Sequence, residues 1–398
     1  MIPALEKVLA VTAEHAGRCD ADAAFPLEAL EALRDSGLLA LPVVGTVRDV
    51  VDVTLRLGRE DMSVAMIYAM HCQQAFALVR HAPALVDRIR SGRVYLASVT
   101  TEKGKGGHLL SSESTVDWVD GSLRIDRDAP IVTGGVHADA FLVTVLAPDA
   151  VTPTQVSLVY ADRSQLDVVE VLGGWDPLGM RATHSVPMRL AGVVPAAQVV
   201  GAPGGFRDVV TATFGPLAHI GWAAAWLGAA SGAFSRVLEL VRGSRQFDPS
   251  SELLLTRVAR IRERLDVVNA LLQHTLDADF SVGAGQVLVN TVKVRAAVEC
   301  FAAVDEMVEL VGLRHGYMRS SDLERVFRDL RSASLNYSND RLLLANGALA
   351  LLDRGGAVGL SDTSATPRTR WCWRGTSRCS TSRASAGCWC HWTRRACG

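Results

Sequence analysis

The chain has 398 residues, 49% of them apolar and 21% charged, with a formal net charge of −1 at pH 7. That length supports two or three layers of structure around a sizeable core. The balanced charge excludes the basic footprint of a nucleic-acid-binding protein.

Taken in chain order, the first ninety residues predict helices. MIPALEKVLAVTAEHAGR carries Glu and Lys early and reads as an amphipathic helix, not a signal peptide, so a cytoplasmic protein is expected. PLEALEALRDSGLLALP places apolar residues at 27, 30 and 33, then Gly37 where a helix C′ residue belongs. SVAMIYAMHCQQAFALVRHAP predicts a long apolar helix ended by Pro83.

From about Tyr95 the pattern changes to period two. STVDWV and SLRIDR flank Asp120-Gly121, a hairpin signal because both turn positions require positive φ. AFLVTVLA, QVSLVYA, LDVVEVL and VPMRLAGVV follow as strand candidates, and this block ends near Val200. After Gly and Pro at 201–205 the chain is helical again. Leu217–Arg242 is rich in small residues and reads as a buried bundle helix, not a membrane span. Thr256–Phe280 aligns Val258, Ile261, Leu265, Val268 and Leu272 on one stripe. Asn290–Val311 aligns Val294, Val298, Phe301, Val304, Val308 and Val311 on another.

The expected architecture is therefore α+β: an N-terminal helical domain (1–92), a central β-barrel or sandwich domain (93–203) and a C-terminal four-helix bundle (204–354). Alternating βαβ units are absent, which excludes a dinucleotide Rossmann fold. Lys103-Gly104-Lys105-Gly106-Gly107 lacks the spacing and the Lys-Ser/Thr end of a phosphate-binding P-loop. Residues 355–398 hold five of the eight cysteines and four of the eight tryptophans, with no acid after Asp362 and no periodicity. They read as a frameshifted or otherwise aberrant, disordered tail. The C-x-C-H spacing of Cys388, Cys390 and His391 matches no common zinc pattern, so no metal is expected.

Several short motifs lie in order on this architecture. Thr101-Glu102-Lys103-Gly104-Lys105-Gly106-Gly107 looks like a T-E-P-G-x-G-S loop, and Pro130-Ile131-Val132-Thr133-Gly134-Gly135 with Ala138-Asp139 like W-I-T-N followed by A-D. Leu178-Gly179-Met180-Arg181 and Val194-Pro195 match L-G-M-R and V-P. Arg245-Gln246-Phe247 is similar to R-x-x-F-G, and Gly316-Tyr317, Glu324-Arg325 and Arg328-Asp329 to G-Y, E-R and R-D. Over residues 1 to 352 the chain thus resembles the acyl-CoA dehydrogenase superfamily.

The resemblance implies FAD between the β domain and the bundle, with Thr101 and Thr133 beside the flavin ring and Gly106 letting backbone approach the pyrophosphate. It further implies cofactor contacts from Arg245, Phe247, Asn339 and Arg341, and a homodimer or homotetramer built through the bundle. Departures are visible. Ile131 stands for the family's Trp, and Gly107 and His108 for its loop Ser and Asp. Ser244 stands for the Arg of R-x-x-F, Leu255 for a Gln, and Glu309-Leu310-Val311-Gly312-Leu313 for Gln-x-x-Gly-Gly. These erode the adenine and pyrophosphate contacts and favour a diffusible reduced flavin.

Aligning Arg328-Asp329 with the family's R-D places Asn336-Tyr337-Ser338-Asn339 on its Y-E-G-T motif, whose Glu is the general base. Tyr337 stands where an acid is expected. The alternative base position, on the helix Leu217–Arg242, falls at about Ala218, with His219 adjacent. An ordinary phenol costs roughly 4 kcal/mol to ionise at neutral pH, so Tyr337 is a donor or packing residue unless a cation such as Arg341 assists it. His219 has an ordinary pKa suited to proton transfer. Asp340 either caps the following helix or reaches the flavin ribose. His71 and His184 rank below His219.

Two enzymatic functions follow from these residues. The first is dehydrogenation or oxidation of an acyl thioester, on CoA or a carrier protein, by FAD with Tyr337, His219 or Asp340 as the catalytic set. The second is a reduced-flavin-dependent monooxygenase on the same fold, which needs no carboxylate base. A non-catalytic member is the third reading. No nucleic-acid or membrane partner is expected.

Overall fold

The computed structural model describes residues 2–102, 109–114, 116–280 and 283–352. The tail and Gly106 lie outside the described residues.

The N-terminal layer contains α1 (Ile2–Asp22), α2 (Leu27–Asp35), α3 (Leu41–Val44), α4 (Val47–Glu60), α5 (Met62–His81) and α6 (Val86–Ile89). Leu30 and Leu33 of α2 are buried, and Gly37 beyond its end has φ 72°. Thr46 and Asp49 form a reciprocal capping box at the start of α4. Asp61 ends α4 and caps α5 by accepting the Val64 amide at 2.9 Å. By length and composition α5 could cross a membrane, yet 89% of that apolar window is buried within the fold. A helix apolar on all sides needs such an interior position.

The central region holds β1 (Leu96–Val99), β2 (Val116–Val119), β3 (Ser122–Ala129), β4 (Ala140–Leu146), β5 (Val156–Asp162), β6 (Leu166–Val171), β7 (Met188–Pro195) and β8 (Val199–Val200). They form two four-stranded sheets, ordered β1-β4-β5-β8 and β2-β3-β7-β6. The Asp120-Gly121 turn joins β2 to β3 as expected, with φ 46° and 74°. Strands β3 and β7 alternate buried and exposed residues, whereas β4 and β5 are buried on nearly every residue. The first sheet is therefore covered on both faces and the second on one. Buried at all four residues, β1 carries no period-two alternation and is not among the expected strands; it pairs parallel with β4 from Leu96↔Ala140 to Val99↔Val143.

The C-terminal part comprises α7 (Phe206–Val209), a π-helical turn at Val210–Phe214, α8 (Gly215–Gly243), α9 (Glu252–Thr275), α10 (Gly283–Gly312), α11 (Asp322–Arg331) and α12 (Asn339–Leu352). Small residues let α8 touch α4 backbone to backbone. A Cβ on Gly228 would lie 2.3 Å from Leu55 O, and one on Gly58 2.6 Å from Ala225 O. On α9, Ile261, Leu265, Val268 and Leu272 are buried as the periodicity predicts. The α10 stripe holds in part: Val294, Val304 and Val311 are buried as expected, but the buried surface is broader. Val298 is 43% exposed, and the inward residues include Val289, Val292, Lys293, Ala296, Cys300, Ala303 and Met307. This helix packs against several neighbours at once, so a valine stripe underestimates what it buries.

Candidate functional site

Two groups of sequence-predicted residues assemble, one on the β region and one on the bundle. On the β side, the Thr101 hydroxyl donates to Ile131 O at 2.9 Å, bringing Thr101 beside the strand-end segment that carries Thr133. Thr133 Oγ1 lies 3.0 Å from Ser185 Oγ, which is 2.9 Å from Thr183 Oγ1. The Tyr95 hydroxyl donates to Thr133 O at 3.1 Å. Glu102 is fastened by Arg127, fully buried in β3, at 2.9 Å, and the same guanidinium donates to Thr101 O at 2.8 Å. Hydroxyls and backbone carbonyls are thus held in fixed positions, a preorganised set of dipoles.

On the bundle side, the elbow 332–338 joins α11 to α12. Tyr337 has φ 53°, and its ring lies 5.8 Å from that of His219 on α8. Trp222, one helical turn on, is 5.7 Å from His219. Lys293 of α10 lies beneath them with no solvent exposure. Its ammonium donates to Tyr337 O at 2.7 Å, Asn339 Oδ1 at 2.8 Å and Ala333 O at 3.3 Å. It also stands 5.5 Å over the Trp226 ring. Burial lowers the Lys293 pKa to about 8.

His219 is pushed down to about 3, first by burial and then by the Lys293 charge, against a side-chain hydrogen bond with Asn290. At neutral pH it is an uncharged ring and a weak base. The expectation of an acid–base group with an ordinary pKa is corrected by this burial. His219 Nδ1 and Trp222 Nε1 are buried with no hydrogen-bond partner, two polar atoms that a polar heterocycle could satisfy. An isoalloxazine offers the matching mixture of donors and acceptors, so the donor set fits a flavin.

The remaining predicted residues separate. Asn339 serves Lys293. Asp340 is exposed in the first turn of α12, where an acid suits the helix dipole. Arg341 and Arg245 are exposed, with no ion pair among the described residues, and Arg341 does not approach the Tyr337 hydroxyl through any such contact. Phe247 packs against the main core. His71 braces the N-terminal layer: Nε2 bonds Leu39 O at 2.9 Å while Nδ1 accepts the Leu96 amide at 3.1 Å. His184 sits at φ 42° in the turn after Arg181–Thr183, 6.1 Å from the His137 ring. Cavities of ≈ 240 and ≈ 360 Å³ lie elsewhere, around Arg236 and Arg314 and around Arg264 and Glu299, and neither is lined by these candidates.

Sequence reasoning missed Lys293, Asn290 and Trp222. A lysine inside an apolar helical stripe is the signal that could have found the first, because a buried ammonium requires partners.

Two quoted motifs also meet. Met180 N donates to Asp329 Oδ1 at 2.5 Å, and a Cβ on Gly179 would lie 2.2 Å from Arg328 O. Arg328 binds Asp20 at 2.6 Å and Glu324 at 2.7 Å. The L-G-M-R turn, α1 and α11 are knotted together at this point.

A family model described as acyl-CoA dehydrogenase, C-terminal domain, matches residues 205–336. Butyryl-CoA dehydrogenase from Megasphaera elsdenii superimposes with a TM-score of 0.76 at 17% identity, covering 88% of this chain and 98% of that one. The chain has the acyl-CoA dehydrogenase fold. Within it, FMN-bound TdsC from Paenibacillus sp. A11-2 is similar at 20% identity and a TM-score of 0.78, covering 88% and 97%. TdsC is described as a dibenzothiophene monooxygenase. KijD3 in complex with FMN and dTDP-3-amino-2,3,6-trideoxy-4-keto-3-methyl-D-glucose is similar at 21% identity and a TM-score of 0.77, covering 90% and 94%. No curated protein sequence matches the chain. On the acyl-CoA dehydrogenase fold, the elbow of this chain sets Tyr337 against a neutral His219 of α8 and a buried Lys293 of α10.

Proposed function

We propose that the protein is a flavin-dependent oxidoreductase, and within that class a monooxygenase that works with reduced flavin and dioxygen. One observation carries this reading. The elbow offers an aromatic ring beside a histidine held neutral, and the described carboxylate closest in sequence, Asp340, is exposed on α12. Proton abstraction from carbon needs a base whose pKa is near the working pH. A site of this composition suits oxygen insertion better.

Thr101 and Thr133 would hold the ring from the β side, with Trp222 and His219 facing it from the bundle. When bound, reduced flavin supplies two-electron activation of dioxygen, one oxygen atom entering the substrate and the other leaving as water. The Tyr337 hydroxyl is a donor able to orient a substrate oxygen or nitrogen. The rings of Tyr337, His219 and Trp222 keep bulk water from the reacting edge. The similarity to FMN-bound TdsC and KijD3 supports a flavin without an adenine half, in keeping with the exposed position of Arg245.

Acyl-thioester oxidation is the second reading, favoured by the match of residues 205–336 to the acyl-CoA dehydrogenase C-terminal domain. Self-association is part of both proposals. Leu343, Leu344, Leu351 and Leu352 of α12 are between 54% and 90% exposed, an apolar face suited to burial against a second copy.

The test mixes the purified protein anaerobically with reduced FMN or reduced FAD and then admits oxygen. A transient absorbance distinct from oxidised and reduced flavin, outlasting that of free flavin, supports the monooxygenase. Anaerobic bleaching of bound oxidised flavin by acyl-CoA would instead establish dehydrogenation. Failure to bind either flavin would overturn both.

A further inference from the structure

Lys293 is one of four lysines in the chain, and it is wholly buried in the wall of the bundle. A buried ammonium is costly unless its protons are matched. Here all three protons are matched by oxygens of one short segment: Ala333 O, Tyr337 O and Asn339 Oδ1. Two of these are main-chain carbonyls, so what the lysine holds is backbone geometry. Tyr337 adopts φ 53°, a left-handed conformation that is strained for a residue with a Cβ. Something must over-determine it, and the 2.7 Å bond from Lys293 to the Tyr337 carbonyl does so.

The same lysine reaches the rest of the site. Trp226, under its ammonium, is on α8 with His219 and Trp222. Asn290, one turn before Lys293 on α10, hydrogen-bonds both His219 and Asn346 of α12. One side of α10 therefore fixes the elbow, the start of α12 and the polar edge of α8 together.

We propose that Lys293 is a positioning residue: by gathering these three oxygens of the elbow and the first residue of α12 it sets the Tyr337 ring against His219, and so shapes the reacting face without touching substrate. The role is independent of which flavin or substrate the protein takes, and its test needs neither.

The experiment follows the ring resonances of His219 by NMR in histidine-labelled protein, assigned with His219→Gln. Tyr337→Ala defines the signal expected when the neighbouring ring is lost. Lys293→Met keeps the volume and removes the charge and donors, whereas Lys293→Arg keeps both. The expected result is that Lys293→Met, folded by circular dichroism, moves the His219 signal towards its position in Tyr337→Ala, and that Lys293→Arg restores it at least in part. A folded Lys293→Met protein with an unchanged His219 signal overturns the proposal, because a packing role alone is met by methionine. Should Lys293→Met fail to fold, Asn339→Ala decides the matter. It removes one acceptor at the surface side, so a smaller shift in the same sense supports the inference and no shift overturns it.

Discussion

The Asp329 carboxyl accepts the Met180 amide at 2.5 Å, across 149 residues of chain, from a position 2% exposed. Burial, reinforced by the nearby Asp61 charge, raises its pKa to about 7 against the pull of that amide. The folded state therefore binds a proton that the unfolded chain releases near pH 4. Stability from this group is greatest at low pH and declines as pH rises towards 7. Asp329→Asn retains the acceptor and should flatten that decline, as read from urea midpoints at pH 5 and 7.5. Asp329→Ala leaves the Met180 amide unmatched and should cost about 1–3 kcal/mol at both pH values.

His219 has the opposite sign. Its folded pKa, about 3, lies below the ordinary 6.5, so the stability it protects is complete above 6.5 and is lost as pH falls. His219→Gln should make the protein less sensitive to acid between pH 6.5 and 4.5. Any turnover rate measured with this protein should show no limb near pH 6.5 that disappears in His219→Gln. A limb that does disappear would identify His219 as a titrating base.

Tyr337→Phe discriminates a hydroxyl that orients from one that abstracts. A general base is worth roughly 10²–10⁴ in rate, whereas one orienting hydrogen bond is worth about 1 kcal/mol, or fivefold. Turnover within tenfold of the parent is expected. A thousandfold loss with unchanged flavin affinity would make the phenol the base.

Gly228→Ala tests the α4–α8 contact. The added methyl would press on the Leu55 carbonyl, a backbone atom that cannot rotate away. A loss of about 1–3 kcal/mol, the usual cost of overpacking, should appear as a lower thermal midpoint. Gly243→Ala, at the end of the same helix with open space around it, is the control and should change little.

Much of this architecture was legible because local chemistry agrees with it. Asp120-Gly121 demands a hairpin whatever surrounds it, and the apolar spacing on α9 needs only a single buried face. The residues that escaped notice depend on partners distant in sequence. Lys293 looks like a flaw in an apolar stripe until the elbow 40 to 46 positions later supplies its acceptors. His219 looks like an ordinary imidazole until burial and that same lysine act on it. The alignment of Tyr337 with the missing acid came from motif order, while its left-handed backbone and its neighbour could come only from three dimensions.

The parallel pairing of β1 with β4 bears on how the site comes into being. Parallel neighbours cannot be made by a simple hairpin, and β2 and β3, which lie between them in the chain, belong to the other sheet. Such non-local pairing closes slowly and late in folding. Thr101 lies two residues after β1, so it gains a fixed place only once that closure has occurred. A ligand gripping Thr101 would then act as a latch, slowing amide exchange along the whole of Leu96–Val99.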